Sequence, residues 1–304
     1  MLKTKDILGL YTMSAEEINS ILSEGLHMKA ALKRGEKSFD TLRGKSLTTL
    51  FYENSTRTRC SFELAAKSLG ADVVNISAAS SSVQKGETLY DTGKTLDYMK
   101  NDCIVIRHPM GGAPALLGQT VKAHVINAGD GMNEHPSQAL LDMLTMLEHF
   151  KKIEGLTVAI IGDISHSRVA KSNLYGLTKL GASVRFFGPK TLIPAGIEKL
   201  GATVCTSREQ ALEGADVVMG LRIQLERQHG GNFPSLGEYA KFYGVNESLL
   251  RYAKPNALVM HPGPVNRGVE LSGGVIDCEK SVINDQVTSG VAVRMAMLKL
   301  LSEA

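Results

Sequence analysis

The sequence has few features of secreted, membrane or metal-binding proteins. Its four cysteines, Cys60, Cys103, Cys205 and Cys278, lie far apart and form no CxxC pair. This spacing argues against a structural zinc site and a disulfide framework, and it favours free thiols that are buried or partly buried. No apolar stretch approaches the roughly 20 residues that cross a bilayer, and the first residues lack the apolar segment of a signal peptide. We therefore expect a cytoplasmic protein that does not bind membranes.

Neither strong charge nor repetition marks the chain. The formal net charge is only +3, so a general attraction to nucleic acid is not expected. Hydrophobic residues make up 43% of the sequence and charged residues 21%, a globular composition. A length of 304 residues exceeds one hydrophobic core, which indicates two domains of about 150 residues each.

Short apolar segments alternate with helical patterns along the whole chain. Apolar periodicity predicts a helix around Phe62 and Leu69, and Pro136 suits the first position of another helix. Strands that alternate with helices are typical of βαβ units, so we predict an α/β fold with parallel sheets covered by helices. The predicted strands are residues 46–51, 72–76, 102–106 and 123–127 in the first half and 156–161, 183–187, 215–219 and 257–260 in the second.

The polar turn at residues 151–155 marks the predicted change of domain. We predict a first domain over residues 1–150, a second over 151–287, and a C-terminal helix within 288–304 that packs back on the first domain. Two similar α/β halves favour an active site in the cleft between them, where the loops after the strands meet.

A cluster of hydroxyl and guanidinium groups follows the first predicted strand. Ser55, Thr56, Arg57 and Thr58 stand where a helix begins, and the free N–H groups and the dipole of a helix N-terminus favour an anion. An ordinary helix cap needs only one hydroxyl, so a cap followed by solvated arginines does not explain the cluster. We interpret it as a phosphate-binding site.

Two arginines follow strands of the second half. Arg168 and Arg222 are predicted to project from the carboxyl ends of those strands. The planar guanidinium binds carboxylates through two hydrogen bonds, so this pair suits a dicarboxylate ligand. A surface ion pair is the alternative interpretation, and it is stronger for Arg168 than for Arg222.

Several motifs together resemble the aspartate/ornithine carbamoyltransferase family. The sequence from Ser55 to Glu63 resembles the carbamoyl-phosphate motif of that family, and the resemblance extends through nearly the whole chain. The other matching segments are Lys85-Gly-Glu-Thr88, Ile106-Arg-His-Pro109, His135-Pro-Ser-Gln138, Leu221-Arg-Ile-Gln-Leu-Glu-Arg227 and His261-Pro-Gly-Pro264.

The resemblance implies transfer of the carbamoyl group of carbamoyl phosphate to L-aspartate, giving N-carbamoyl-L-aspartate and phosphate in pyrimidine biosynthesis. It implies no metal and no organic cofactor. The catalytic residues would be Arg57, Thr58, Arg107 and His135. Carbamoyl phosphate would be bound by Ser55, Thr56, Arg57, Thr58, Arg107, His135, Gln138, Pro262, Gly263 and Pro264, and aspartate by Lys85, Arg168, Arg222 and Gln224.

The resemblance also implies a homotrimer with shared active sites. Ser81 and Lys85 would reach the active site of the neighbouring subunit. A regulatory chain is possible but not indicated, because the segment from Gly162 to Ala170 resembles the branch of the family that works as a trimer alone.

Four other functions are supported less well by the sequence than the one that the family resemblance implies. Gly162-Asp-Ile-Ser-His-Ser lacks the second glycine of a dinucleotide-binding motif, and Gly44-Lys-Ser46 lacks the glycine that begins a P-loop. Ornithine carbamoyltransferases typically carry His-Cys-Leu-Pro where this chain has His261-Pro-Gly-Pro264. A non-catalytic subunit is expected to have lost part of the phosphate cluster, which is complete here.

Overall fold

The computed structural model describes residues 2–77, 85–223 and 235–303. The chain divides into two compact units, one formed by Met1–Leu144 with Thr288–Ala304 and the other by Thr145–Val287. The first division falls inside a helix, Pro136–Phe150, and not at its end. The residues after Val287 return to the first unit, which is therefore discontinuous in sequence.

The first unit contains a four-stranded parallel sheet with strand order β2-β1-β3-β4. Its strands are β1 (Ser46–Phe51), β2 (Asp72–Ser77), β3 (Cys103–His108) and β4 (His124–Asp130), and its first five helices are α1 (Ala15–Lys33), α2 (Thr56–Ser68), α3 (Leu89–Tyr98), α4 (Ala113–Thr120) and α5 (Pro136–Phe150).

The second unit contains a five-stranded parallel sheet with strand order β7-β6-β5-β8-β9. Its strands are β5 (Thr157–Ile161), β6 (Ser183–Phe187), β7 (Ala202–Val204), β8 (Val217–Gly220) and β9 (Leu258–Met260). Its helices are α6 (Arg168–Lys179), α7 (Arg208–Leu212), α8 (Leu236–Tyr243), α9 (Glu247–Leu250) and α10 (Gly273–Ile276), and α11 (Ile283–Ser302) follows them.

These two helix-covered parallel sheets confirm the predicted α/β class. Each predicted strand is present within one or two residues at its start and up to three at its end, whereas β7 was not predicted because three residues are too few to give a pattern. Helix α11 begins at Ile283, whereas the sequence predicted a C-terminal helix within residues 288–304. The earlier start was not predicted because the first turn carries the polar residues Asn284, Asp285 and Gln286, which give no apolar pattern.

The strand order creates one switch point in each sheet, where consecutive crossovers leave in opposite directions. In the first unit it lies between β1 and β3, and in the second between β5 and β8. Ligands of open α/β sheets bind beyond the carboxyl ends of the strands at such points. Functional residues are therefore expected in the segments that follow β1, β3, β5 and β8.

The burial of the cysteines agrees only in part with the prediction. Cys103 and Cys205 are buried and Cys278 is partly buried, but Cys60 is exposed on helix α2, so the prediction was wrong for this thiol. No helix among the described residues combines the length and apolar character needed to cross a membrane.

Candidate active site

The loop between β1 and α2 leaves a helix N-terminus open to an anion. Ser55 is the N-cap residue, yet its side chain makes no capping hydrogen bond, and no acidic residue stands in the first turn. Thr56 and Arg57 are exposed, whereas Thr58 is 7% exposed. Within the described residues, neither a side-chain cap nor an acidic residue of the first turn therefore neutralises the positive end of α2.

Arg107 lies beside this loop, but inside strand β3 and not after it as the sequence predicted. The strand runs on to His108, and Arg107 pairs in register with Phe51 at the end of β1. Its Nε donates to Oε2 of Glu53 at 3.0 Å. The two side chains are 15% and 21% exposed, so this ion pair is largely shielded from water. Arg57, Thr58 and Arg107 thus occupy the two sides of the first switch point.

A network around Asp130 shapes the loop from β4 to α5, which carries His135 and Gln138. Oδ1 of Asp130 accepts from Asn127 Nδ2 at 2.8 Å and from the Glu134 backbone N–H at 3.0 Å. Both predicted site residues are buried, His135 at 4% and Gln138 at 9% exposure. Asp130 was not predicted, although Asn and Asp beside glycines are typical of side-chain-stabilised turns.

The second switch point carries the two predicted arginines. Arg222 follows β8 and is partly buried. Arg168 is the first residue of helix α6 and is only 4% exposed, so it does not stand in a surface loop. Its helix is capped by the Ser167 side chain, which accepts from Ala170 N–H at 3.1 Å. The burial of Arg168 at the start of the helix that follows β5 weakens the surface ion-pair interpretation.

A buried carboxylate fixes the backbone beside Arg222. Glu270 is 3% exposed, and its Oε1 accepts from the Ile223 backbone N–H at 3.0 Å. Asn266 donates to the same carboxylate through its backbone N–H at 2.9 Å. Burial raises the pKa of Glu270, and these hydrogen bonds oppose that change. The residue holds the segment after β8 and was not predicted.

The turn after β9 is built on His261. Its Nδ1 accepts from the Gly263 backbone N–H at 2.9 Å, and its own backbone N–H donates to Gln286 Oε1 at 3.0 Å. Gly263 has φ +66°, which favours glycine, and its bond to Pro264 is cis. Pro262 and Gly263 are partly exposed and Pro264 is exposed, so this turn lies at the surface of its unit.

Three predicted residues lie at or beyond the limits of the described segments. Ser81 and Gln224 are outside the described residues. Lys85 is exposed and directly follows residues 78–84.

Both halves of the chain match known protein domains. The carbamoyl-phosphate-binding domain of the aspartate/ornithine carbamoyltransferases matches residues 5–148, and the aspartate/ornithine-binding domain matches residues 154–301. The chain belongs to the aspartate/ornithine carbamoyltransferase family. The resemblance of its motifs is thereby confirmed, and the chain is an enzyme of the carbamoyltransferase class.

Individual carbamoyltransferases agree with this assignment. The chain is 62% identical to the aspartate carbamoyltransferase catalytic subunit of Ruminiclostridium cellulolyticum, over 99% of this chain and 96% of that protein. It is 32% identical to the aspartate transcarbamoylase of Trypanosoma cruzi solved with N-(phosphonacetyl)-L-aspartic acid, with a TM-score of 0.88 over 98% and 96% of the two chains. The ornithine carbamoyltransferase of Pyrococcus furiosus is 31% identical, with a TM-score of 0.86 over 96% and 95%. Fold alone therefore does not separate the two substrates, and the side chains must.

Proposed function

We propose that this chain is an aspartate carbamoyltransferase, which transfers the carbamoyl group of carbamoyl phosphate to the α-amino group of L-aspartate in pyrimidine biosynthesis. The observation that carries the proposal is the pair of switch points. One bears an open helix N-terminus with Arg57 and Arg107, and the other bears Arg168 and Arg222. The aspartate carbamoyltransferase of Ruminiclostridium cellulolyticum, at 62% identity, supports it.

The first half-site binds the phosphorylated substrate. Ser55, Thr56, Arg57 and Thr58 hold the phosphate through hydroxyl groups, backbone N–H groups and one guanidinium. Arg57 neutralises the charge that gathers on phosphate as it leaves. The remaining contacts to carbamoyl phosphate come from Arg107, His135, Gln138, Pro262, Gly263 and Pro264.

The reaction is a direct acyl transfer. The neutral amine of aspartate attacks the carbamoyl carbon and forms the new C–N bond, and the bond from that carbon to the phosphate oxygen then breaks. Phosphate leaves with the bonding electrons and accepts the proton that the amine loses. Thr58, Arg107 and His135 donate to the carbamoyl oxygen while it carries negative charge, an effect worth about 100- to 1000-fold in rate per donor. No step requires a metal or an organic cofactor.

The second half-site selects a dicarboxylate. Arg168 and Arg222 bind the two carboxylates of aspartate, with Gln224 and Lys85 as further contacts. Ornithine has one carboxylate and a side-chain ammonium, which two guanidinium groups would repel. The turn from His261 to Pro264 also contains no cysteine, so the thiol that is expected in an ornithine carbamoyltransferase is missing from this turn.

The proposed assembly is a homotrimer in the cytoplasm with shared active sites. Ser81 and Lys85 act in the site of the neighbouring subunit. Lys85 is exposed, which supports a role outside its own unit. Regulatory chains are not part of the proposal, although relatives are named catalytic subunits.

Calorimetry with a bisubstrate analogue tests the function. We expect tight binding of N-(phosphonacetyl)-L-aspartate, which joins a phosphate mimic to the dicarboxylate, and no comparable binding of the corresponding ornithine analogue. Arg222→Ala should weaken the aspartate analogue while leaving phosphonoacetamide binding unchanged. Tight binding of the ornithine analogue alone would reverse the assignment of the second substrate.

A further inference from the structure

The amide of Gln138 has a carboxylate neighbour within its own helix. Its Nε2 donates to Oδ1 of Asp142 at 3.0 Å, and the two residues lie four positions apart on α5. Gln138 is 9% exposed and Asp142 fully buried. The Oε1 of Gln138 accepts no hydrogen bond from the described part of the chain.

The chemistry of Asp142 determines which way the amide faces. An ionised carboxylate only accepts hydrogen bonds, whereas an amide has one accepting and one donating end. Turning the Gln138 amide over would place its oxygen against the carboxylate oxygen, without a proton between them. Asp142 therefore excludes that orientation, and the Gln138 oxygen faces away from the helix partner.

A buried cation of the same unit acts electrostatically on this carboxylate. Arg294 on α11 is 3% exposed, and its Nη1 donates to the Gly290 carbonyl at 2.8 Å. Its guanidinium lies 5.0 Å from the ring centre of Phe62 on α2. Burial lowers the pKa of Arg294, and the charge of Asp142 opposes that change. The attraction between these two charges favours an ionised, acceptor-only Asp142.

Space for the guanidinium is built into α11. A Cβ atom on Gly290 would lie 2.6 Å from Nη1 of Arg294 and 3.2 Å from the Leu141 side chain. Arg294 also donates from Nη2 to the hydroxyl of Ser137 at 3.3 Å, at the start of α5. The cation is therefore held against the same helix turn that carries Gln138.

We propose that Asp142 is a positioning residue that locks the Gln138 amide with its oxygen toward the carbamoyl group, so that the site requires an NH2 donor there. This inference rests on the proposed function, in which Gln138 binds the carbamoyl nitrogen. The site then discriminates carbamoyl phosphate from acetyl phosphate, because a methyl group leaves the Gln138 oxygen without a donor. Arg294 acts through Asp142 by holding it ionised.

A pair of analogues measures this discrimination directly. Phosphonoacetamide ends in NH2, and 2-oxopropylphosphonate has CH3 in its place. We expect the wild-type chain to bind the amide more tightly in calorimetry. In Asp142→Asn, Arg294 attracts the oxygen of the new amide, which turns its NH2 toward Gln138 and reverses the Gln138 amide. The affinity ratio of amide to ketone should fall by at least about tenfold, while inorganic phosphate binds as before.

A second variant covers the case in which Asp142→Asn does not fold. The double variant Asp142→Leu with Arg294→Met replaces both buried charges by apolar groups of similar size, an exchange that proteins often tolerate. The double variant should lose the preference for phosphonoacetamide over 2-oxopropylphosphonate to the same extent as Asp142→Asn. Asp216→Asn is the matched control, because Asp216 is also a buried carboxylate that accepts a backbone N–H, from Thr157 at 2.9 Å, but stands at the amino end of β8. It should keep the wild-type ratio.

Gln138→Leu separates the inference from the function on which it rests. If Gln138 binds the carbamoyl nitrogen, this variant loses the preference, and adding Asp142→Asn changes the ratio no further. A wild-type chain that binds neither analogue contradicts the proposed function. If Gln138→Leu loses the preference while Asp142→Asn and the double variant keep it, the inference about Asp142 is wrong and the function stands.

Discussion

Arg107 and Glu53 form an ion pair across the first switch point, with Nε of the arginine 3.0 Å from Oε2 of the carboxylate. The two residues are 54 positions apart in sequence; Arg107 lies near the end of β3, and Glu53 lies in the loop after the neighbouring strand β1. A group proposed to bind phosphate and the carbamoyl oxygen is therefore already bound to an anion of the protein. Any ligand anion must compete with Glu53.

Replacing Glu53 by glutamine should strengthen anion binding. Glu53→Gln keeps the size and one accepting oxygen but removes the competing charge, so the affinity for inorganic phosphate should rise about three- to tenfold. Calorimetry at constant ionic strength measures it. Weaker binding would instead mean that the carboxylate chiefly aligns the guanidinium. Glu279→Gln removes one negative charge from a residue that is not part of the Arg107–Glu53 ion pair, and it is the control for net charge.

The stability of the first unit should depend on pH through His108. Burial lowers the pKa of His108 from its ordinary value of 6.5, and the charges of Glu53 and Asp130 oppose this. The unfolded chain therefore binds a proton before the folded chain does. The contribution of the neutral His108 to the free energy of unfolding is therefore complete above pH 6.5. It is lost as the pH falls below 6.5 toward the pKa of His108 in the folded chain.

His108→Asn tests this contribution, because the asparagine oxygen can accept from the Met110 backbone N–H as Nδ1 of His108 does at 3.0 Å. The free energy of unfolding, measured in urea between about pH 5 and 7.5, should decrease less on acidification in the variant than in the wild type. Equal slopes would show that His108 does not titrate differently in the two states.

The two half-sites should fail in different ways. Arg57→Ala should lower kcat about 100- to 1000-fold, because charge on the departing phosphate is no longer neutralised. Arg222→Ala should raise the KM for aspartate about 30- to 100-fold through loss of a charged hydrogen-bonded pair, with carbamoyl phosphate binding retained. Arg251→Ala, an exposed arginine of the second unit, controls for charge loss alone. Loss of carbamoyl phosphate binding in Arg222→Ala would contradict the division of roles.

Subunit mixing tests the shared site. Arg57→Ala and Lys85→Ala trimers should each be nearly inactive, yet every mixed trimer contains one site with both residues intact. Random reassembly of equal amounts makes about three quarters of the trimers mixed, so roughly a quarter of native activity should return. Lys152→Ala, another exposed lysine, should remain active without mixing. Confirmed mixed trimers without recovery would assign Lys85 to its own chain or to no catalytic role.

The fold followed from sequence wherever a strand was long enough to show its pattern. Strands β1 and β6 were predicted at their observed bounds, because β-branched and apolar residues between polar turns are typical of parallel strands. Strand β7, with three residues, carries no periodicity. The predicted start of helix α11 was too late in the sequence, because the apolar pattern that predicts helices is missing from its first turn.

The candidate site was predictable only where local chemistry identified it. The hydroxyl cluster from Ser55 to Thr58 indicated an anion because a helix start supplies N–H groups. The supporting carboxylates were not predictable in this way. Glu53 and Glu270 act on residues 54 and 47 positions away, and spacing along the chain does not report such pairs. The burial of Arg168 was missed for a related reason, since an arginine is ordinarily exposed.

The discontinuity of the first unit has a consequence for synthesis on the ribosome. All four strands of its sheet have been translated by Asp130, but Thr288–Ala304 is made only after the second unit. The buried Lys29 on α1 donates to Ser289 at 2.8 Å, and Gly25 faces Val293, so these contacts of the first core cannot form until residues 288–304 have been made. The second unit, Thr145–Val287, is contiguous and is completely made before the first is. We expect the unit whose synthesis begins first to finish folding last, with the buried faces of α1 and α5 exposed to chaperones in the interval.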